Sequence, residues 1–328
     1  MSQRKPQRGA ALLMAMLTVT LVATFAAAAM WQQWRSVEVE QAERTRVQAG
    51  WILTGALDWV RLILKEDSST ADYLSEPWAV PLEEARLSTF LAAEHGVAAA
   101  DTGDDALSAF LSGQIIDMQS MLNVNNLVVS GQVSLPWVQV FTRLFELLGL
   151  PPAQVATLAE NLRFALDTSA ANHSAPMAPL MPQRVDQLVW LGLPAETVAA
   201  LRPYVTIFPA PALTAVNLNT APAEVIYAAL DGISLADAQR LVAERDRSHF
   251  TTTLEAMKRL GSTPLISPSP DVAGVNSNYF ESRGRLRMDK MVVEERSLIH
   301  RVYRQATALQ RERGVIDTPA PGAGFPSR

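Results

Sequence analysis

Residues 4–30 read RKPQRGAALLMAMLTVTLVATFAAAAM, and the architecture of the chain follows from this stretch. Three basic residues, Arg4, Lys5 and Arg8, precede Gly9, and the uncharged apolar run Ala10–Met30 begins directly after this glycine. At roughly 1.5 Å per residue, the run predicts a helix of about 31 Å, enough to cross the hydrocarbon core of a bilayer. Because basic residues favour the cytoplasmic side, we expect the chain after Met30 to lie on the other face.

The helical pattern continues beyond the apolar run. Trp31 and Trp34 stand where an aromatic belt would meet the lipid headgroups. After a polar stretch, two adjacent apolar stripes return at helical spacing, and no proline or turn cluster interrupts the chain before Glu66. The pattern predicts one helix from Ala10 to about Lys65, roughly 84 Å long. The stripes are Ile52, Ala56, Trp59 and Ile63, and Leu53, Leu57, Val60 and Leu64.

Three interpretations of the N-terminal segment are open. A secretory signal peptide would be cut near Ala29, although the apolar run is longer than the usual 7–15 residues. A simple anchor would keep the whole segment. In the third interpretation a short hydrophilic leader is cut after Gly9, and the apolar helix is retained.

Composition excludes several classes of function. Apolar residues make up 48% of the 328 residues and charged residues 19%, which is typical of a globular body. The net charge is −5, and without the three basic residues of the leader it is −8, a poor match for a phosphate backbone. The chain has no cysteine, which excludes disulfides and thiol catalysis, and only four histidines. No phosphate loop, nucleophile elbow or metal-spaced histidine pair is present, so the sequence does not predict an enzyme.

The body of the chain predicts strands on both sides of a helical block. Residues 114–118 form a short β-branched strand, and the paired asparagines that follow at 123–126 are expected to cap turns rather than bind a ligand. Helices are predicted over 136–166, interrupted at Gly149, and over Val185–Leu191. The segments 76–81 and 203–209 are expected to be extended between prolines. Strands return over 275–288 and 292–304, with a turn at Asp289-Lys290, a polar segment after them and a mobile tail from Gly314.

The sharpest motif of the body is Asn217-Leu218-Asn219-Thr220-Ala221-Pro222. It predicts a helix start with Thr220 as N-cap and Pro222 in the first turn, and Ser234 opens a second helix from Leu235 to Asp246. The pair resembles a helix-hairpin-helix (SAM-like) unit, a fold that often binds DNA through a glycine-rich turn.

The composition of this unit does not favour DNA binding. The turn is Gly232-Ile233-Ser234, with serine where a second glycine is wanted. Residues 217–260 hold six acidic and five basic residues, so no basic face emerges. We therefore predict no nucleic-acid partner.

Taken together, these motifs resemble the K-type minor pseudopilins of type II secretion systems. The resemblance implies that a prepilin peptidase cuts between Gly9 and Ala10 and methylates the new N-terminus at Ala10. Most pilin-like proteins carry Glu at the fifth mature position, but the K type lacks it, and here that position is Met14. The family signature Asn-x-Asn-Thr-Ala-Pro is matched by Asn217, Asn219, Thr220, Ala221 and Pro222.

The resemblance implies an α+β fold in which a long N-terminal helix packs on a small antiparallel sheet, with a large inserted all-α domain of SAM-like units. The expected segments are a leader over residues 1–9, a transmembrane helix over 10–30, its amphipathic continuation over 31–66, a pseudopilin part over 67–122, a first SAM-like region over 123–212, a second over 213–263, C-terminal strands over 264–313 and a tail over 314–328.

The implied function is structural. The chain would join the I- and J-type minor pseudopilins in a tip complex, which primes assembly of the major pseudopilin for export of folded proteins. It would be a single-pass inner-membrane protein with a cytoplasmic N-terminus and a periplasmic domain. Family members can hold calcium in acidic loops, but only Asp167 of that pattern is retained here, so no cofactor is expected. Two alternatives remain. One is a membrane-anchored DNA-binding or uptake protein, and the other is an exported envelope enzyme or lipid-handling domain whose N-terminus is an ordinary signal peptide.

Overall fold

The structure, a computed structural model, describes residues 8–67, 70–88, 109–167, 177–208, 212–261, 269–288 and 291–317. The chain divides into two compact units, Met1–Thr54 and Gly55–Arg328. Helix α1, Arg8–Glu66, contributes to both units, which confirms the predicted uninterrupted helix. Within the first unit, every side chain of the apolar run Ala10–Met30 is exposed.

The second unit contains a five-stranded antiparallel sheet of order β1-β2-β9-β10-β11. Strand β2, which precedes the helical block, pairs directly with β9, which follows it; Ile115 lies opposite Ser282. The prediction that strands on both sides of the block form one sheet is therefore confirmed. The strands are β1 Leu82–Arg86, β2 Ala109–Asp117, β9 Tyr279–Met288, β10 Met291–Val302 and β11 Gln305–Asp317.

The sheet packs on the C-terminal turns of α1. Leu57, Val60 and Leu64 from the helix meet Phe280 and Ile299 from the sheet in one buried cluster. Full burial of such side chains contributes about 1.5–3 kcal/mol each relative to exposure. The helix-on-sheet part of the predicted fold is therefore present.

The block between β2 and β9 is a helical domain with its own core. Gly149, with φ +69°, separates α2 from α3 as the sequence predicts. The helices are α2 Leu135–Leu147, α3 Ala153–Leu166, α4 Ala195–Leu201, α5 Ala223–Ala229, α6 Leu235–Arg247 and α7 Thr253–Arg259. Its two-residue strands are β3 Leu122–Asn123, β4 Val128–Val129, β5 Gln132–Val133, β6 Val205–Thr206, β7 Val216–Asn217 and β8 Ala273–Gly274.

The helix predicted over Val185–Leu191 is present, as a 3₁₀ helix. Two local predictions in and before this domain are wrong. The segment before Pro81 contains a 3₁₀ turn, Pro77–Ala79, which buries Trp78. Thr220 is not the N-cap of α5; the cap is Pro222, because a proline disfavours helical backbone in the residue before it.

The strands also extend beyond their predicted bounds. Strand β11 occupies the segment predicted only to be polar, and it continues through Gly314, where a mobile tail was predicted to begin, to Asp317. Its polar residues are held by β10, since Arg311 and Arg313 both bind the buried carboxylate of Glu295, at 2.8 and 2.5 Å. Strand β2 begins at 109 rather than 114, and β1 has no counterpart in the prediction. The turn at 289–290 and the loop predicted over 98–105 lie outside the described residues.

Candidate functional site

The predicted processing residues lie at the start of α1. Gly9 and Ala10 are in its first turns, and Met14 is 64% exposed. In the described part of the chain, α1 is the one helix long and apolar enough to cross a membrane. This agrees with a single-pass anchor.

The signature residues lie in the loop between β7 and α5, where they form a compact turn. The side-chain carbonyl of Asn217 accepts a hydrogen bond from the backbone N–H of Asn219 at 2.9 Å. Asn219 in turn clamps Phe250, accepting from its N–H at 2.8 Å and donating to its C=O at 2.9 Å. The loop therefore ties the start of α5 to the connection between α6 and α7.

The same loop reaches the sheet through a buried carboxylate, Asp117, at the end of β2. Its Oδ1 accepts the Gln119 N–H at 2.8 Å. Its Oδ2 accepts three donors from residues of the loop and of the segment before β9. They are Asn217 Nδ2 at 3.0 Å, Thr220 Oγ1 at 2.5 Å and Ser277 Oγ at 2.7 Å.

A buried ion pair continues this network toward the end of α1. Arg301, on β10, donates from Nη2 to both carboxylate oxygens of Asp72, at 2.6 and 2.7 Å, and from Nη1 to Asp67 at 2.5 Å. The Ser277 N–H donates to Asp72 Oδ2 at 2.7 Å, and Asn217 Nδ2 lies 3.1 Å from the Asp72 carbonyl. We call Asp72, Asp117, Asn217, Thr220, Ser277 and Arg301 the polar junction.

Burial dominates the electrostatics of the polar junction. It raises the pKa of Asp117, and the hydrogen bonds from Thr220, Ser277 and other donors oppose the rise. Burial also raises the pKa of Asp72 to about 7, against the lowering effect of the Arg301 charge. For Arg301, burial lowers the pKa, but the Asp72 and Asp67 carboxylates outweigh it and the net shift is upward.

The asparagines after β2 make a second connection within the helical domain. Asn123 Oδ1 accepts from the Asn125 N–H at 3.0 Å, as predicted for a turn cap. Asn126 exchanges two hydrogen bonds with the backbone of Thr214, at 2.7 and 3.1 Å. The asparagines 123, 125 and 126 are buried and serve the fold, which confirms the structural interpretation.

The turn at Gly232 is not arranged to receive a phosphate. Ser234 and Asp237 form a capping box at the start of α6, in which the Ser234 N–H donates to Asp237 Oδ2 at 2.9 Å. Hydrogen bonds from Ser234 lower the pKa of Asp237 to about 2. A carboxylate therefore takes the backbone amide that a DNA-binding hairpin would offer to a phosphate.

Asp167 and one acidic cluster are the described residues that bear on the question of a calcium ion. Asp167 is exposed at the end of α3, and residues 168–176 lie outside the described part. The described cluster of three acids within metal-binding reach is Asp67, Asp72 and Glu76. Arg301 binds the first two, and Glu76 Oε2 accepts the Trp78 indole N–H at 2.7 Å, so these oxygens already have partners.

The fold and the junction define a class of protein: a membrane-anchored, pilin-like subunit with a helical domain inserted into its sheet. Two family models, both described as type II secretion system (T2SS), protein K, match residues 120–210 and 216–275. Over both ranges the chain is similar to this family. The second model spans the signature loop, whereas Asp117 and Ser277 lie just outside the matched ranges.

Related proteins align with almost the whole chain. Type II secretion system protein K of Pectobacterium carotovorum subsp. carotovorum is 25% identical over 97% of this chain and 100% of its own length. The protein K of Klebsiella pneumoniae is 26% identical over 94% of this chain and 97% of its own length. A chain in the crystal structure of the GspK-GspI-GspJ complex from the enterotoxigenic Escherichia coli type 2 secretion system shares the fold, with a TM-score of 0.60. That match has 19% identity and covers 84% of this chain and 98% of the other.

The sequence identified the signature residues but not most of their partners. The sequence predicted no structural or functional role for Asp72, Asp117, Ser277 or Arg301. An aspartate that ends an apolar strand was the available signal for Asp117. Nothing local in the sequence marks Arg301, which is one of several arginines along the C-terminal strands.

Proposed function

We propose that this protein is a minor pseudopilin that assembles with the I- and J-type minor pseudopilins in the tip complex of a type II secretion system. The complex primes assembly of the major pseudopilin into a pseudopilus that exports folded proteins across the outer membrane. The polar junction carries this proposal, because it attaches the helical domain to the pilin-like sheet through buried hydrogen bonds. A domain attached in this way moves with its subunit and serves as a rigid cap.

The proposed membrane topology follows from the charge distribution at the N-terminus. The three basic residues Arg4, Lys5 and Arg8 precede the apolar run 10–30 and hold that end in the cytoplasm, so the Gly55–Arg328 unit lies in the periplasm. Prepilin peptidase removes residues 1–9 and methylates Ala10. Helix–helix packing through the alanine-rich run 10–30 then holds the subunit in the assembly.

The proposed position at the tip rests on two features. A bulky helical domain would block a further subunit from stacking above it. Met14 also leaves the helix without the carboxylate that a pilin subunit offers to its neighbour. A subunit of this kind suits the end of a fibre better than its middle.

Two measurements on protein recovered from native membranes test the proposal. Mass spectrometry should find a methylated Ala10 as the mature N-terminus, and affinity isolation of the full chain should recover the I- and J-type minor pseudopilins. A mature N-terminus near Ala29 would mean an ordinary signal peptide and would overturn the proposal. Normal processing with neither minor pseudopilin recovered would overturn the proposed tip complex.

A further inference from the structure

A groove of about 1000 Å³ lies between the Asp117 end of β2 and the helical domain, wholly within the Gly55–Arg328 unit. Leu74, Ile115 and Tyr204 line it together with Arg245. The Leu74 side chain is 51% exposed. The groove thus combines exposed apolar surface with a cationic side chain, and its volume suits a short peptide segment.

One wall of the groove is an incomplete sheet edge. Strand β1 begins opposite Gly113, so it does not reach the last residues of β2. In the described part of the chain, no backbone hydrogen bond joins Gln114, Ile115 or Ile116 to a segment other than β9. A strand edge whose backbone groups lack partners is a template for another extended segment.

Arg245 is a largely buried cation at this groove, and its ion pair with the exposed Asp246 is long. Its side chain is 7% exposed, and Nη1 donates to the backbone carbonyls of Leu218, at 3.0 Å, and Ala221. Its Nε has no hydrogen-bond partner, and the nearest carboxylate, that of the exposed Asp246, is 3.7 Å away. Burial lowers the pKa of Arg245, which is the expected effect when a guanidinium lacks full compensation.

Several other charged residues of the groove are already engaged. Arg283 pairs with Glu281, and Glu84 pairs with Arg287. Glu83 and Glu224 also line the groove, so its field is not uniformly positive. Arg285, which also lines the groove, pairs with Glu294 at 3.9 Å. An acidic ligand would therefore be directed to Arg245 rather than held by a general basic surface.

We propose that this groove binds an extended segment of a neighbouring subunit, which adds a strand to β2 and places a carboxylate against Arg245. Four residues of such a strand span roughly 14 Å, and their alternate side chains would contact the apolar wall. A neighbour anchored in the same membrane meets the groove at a high effective concentration, which offsets the modest affinity of a short contact. The inference rests on the proposed function, since it assigns a binding surface to the tip complex.

The absence of cysteine makes a site-specific test possible. Leu74→Cys introduces a single thiol at the groove, and Leu254→Cys introduces one at a matched exposure, 48% against 51%, away from it. Both full chains would be labelled with a benzophenone maleimide in membranes that also contain the other pseudopilins, then irradiated. We expect the probe at Leu74 to cross-link a pseudopilin within an extended segment that contains Asp or Glu, and the probe at Leu254 to give none.

A binding measurement isolates the role of the charge. The Leu74→Cys variant would be solubilised in detergent and labelled at the new thiol with an environment-sensitive dye. The dye would report the binding of an acetylated peptide that alternates Val and Thr and has one central Glu. We expect it to bind at least fivefold more tightly than its Gln counterpart, with a preference that falls as salt increases. Arg245→Lys, which keeps the charge but not the planar geometry, should reduce the preference.

The two proposals fail in different ways. If the I- and J-type pseudopilins are still recovered but Leu74 gives no cross-link, and the Glu and Gln peptides bind equally, the groove inference is wrong and the tip complex stands. Cross-linking of Leu74 to a secreted protein rather than a pseudopilin would also overturn the inference. Loss of the pseudopilins from the isolated complex would instead contradict the proposed function.

Discussion

The Thr220 hydroxyl donates a 2.5 Å hydrogen bond to Asp117 Oδ2, which joins two residues 103 positions apart in the chain. Thr220 belongs to the signature loop of the helical domain, and Asp117 ends a strand of the pilin-like sheet. The contact is therefore made between the two parts of the Gly55–Arg328 unit. A residue of the predicted signature is thus an attachment point of the inserted domain.

Thr220→Val removes this hydroxyl while nearly conserving the volume of the side chain. Asp117 then loses one of its four donors in a buried environment, which should lower the free energy of unfolding by about 1–3 kcal/mol. Urea unfolding of the detergent-solubilised chain would measure this change in the free energy of unfolding. Thr220→Ser keeps the hydroxyl and should recover most of the loss, and equal stability of the Val and Ser variants would contradict the role assigned to the hydroxyl.

Asn217→Ala should be more damaging than Thr220→Val. The Nδ2 of Asn217 lies within hydrogen-bonding distance of the Asp72 carbonyl, Asp117 and Ser277, and these three acceptors would lose the two N–H groups that they share. We expect a loss of roughly 2–4 kcal/mol in the free energy of unfolding, together with reduced recovery of the partner pseudopilins. Asn278→Ala is the control, because its side chain is exposed, and a comparable loss there would argue against a special role for Asn217.

The raised pKa of Asp72 predicts a pH dependence of stability. Its folded-state pKa of about 7 lies above its ordinary value of 3.8, so the folded state holds the proton more tightly. This tighter proton binding adds to the free energy of unfolding. The added stability is complete below pH 3.8 and is lost as pH rises through 7. The free energy of unfolding of the wild type, relative to Asp72→Asn, should therefore fall between pH 5 and 7, by at most about 1.4 kcal/mol per pH unit, and level off above pH 8.

Comparison with Asp72→Asn is needed because other groups titrate nearby. Burial lowers the pKa of His300, which destabilises the fold as pH falls and acts in the opposite direction. This effect is common to both proteins and cancels in their difference. Asp237 and Glu255, with pKa values of about 2, stay ionised in this range. A difference that does not change from pH 5 to 8 would refute the assignment to Asp72.

Chelation should leave the helical domain intact. The described acids near Asp72 have protein partners, and Asp167 stands at an exposed helix end, so we expect EDTA to leave the thermal unfolding midpoint unchanged. Calcium bound to the native state would make that midpoint depend on its concentration. A midpoint that EDTA lowers and added calcium restores would identify a site that the sequence does not predict.

Met14→Glu tests the missing carboxylate in the membrane helix. A carboxylate in lipid is costly unless it is paired, and a subunit at the tip has no neighbour above it to supply a partner. We expect less tip complex to be recovered and less protein to be secreted. Met14→Leu should behave as wild type, and indifference of assembly and secretion to the glutamate would remove this argument for the tip position.

Local patterns predicted the elements whose signals are local. The apolar run and the stripes that follow it predicted α1, and Gly149 and Ser234 marked helix boundaries that the structure retains. Strand β11 was missed because its arginines form their ion pairs with Glu295 of the neighbouring strand β10, and the local sequence does not show that pairing. The start of α5 was assigned to Thr220 because a cap and a long-range donor look alike in sequence.

The sequence by itself determined the long N-terminal helix, the helical block between strands, and the signature loop, because periodicity, caps and turn residues act over a few positions. Only the tertiary structure decided which groups the signature residues bind. Asp72, Asp117, Ser277 and Arg301 come from four separate segments, and their desolvation is costly unless donors and charges converge on the same buried point. That convergence depends on how β2, β9 and β10 pair and on where the helical domain packs, and no local pattern encodes it.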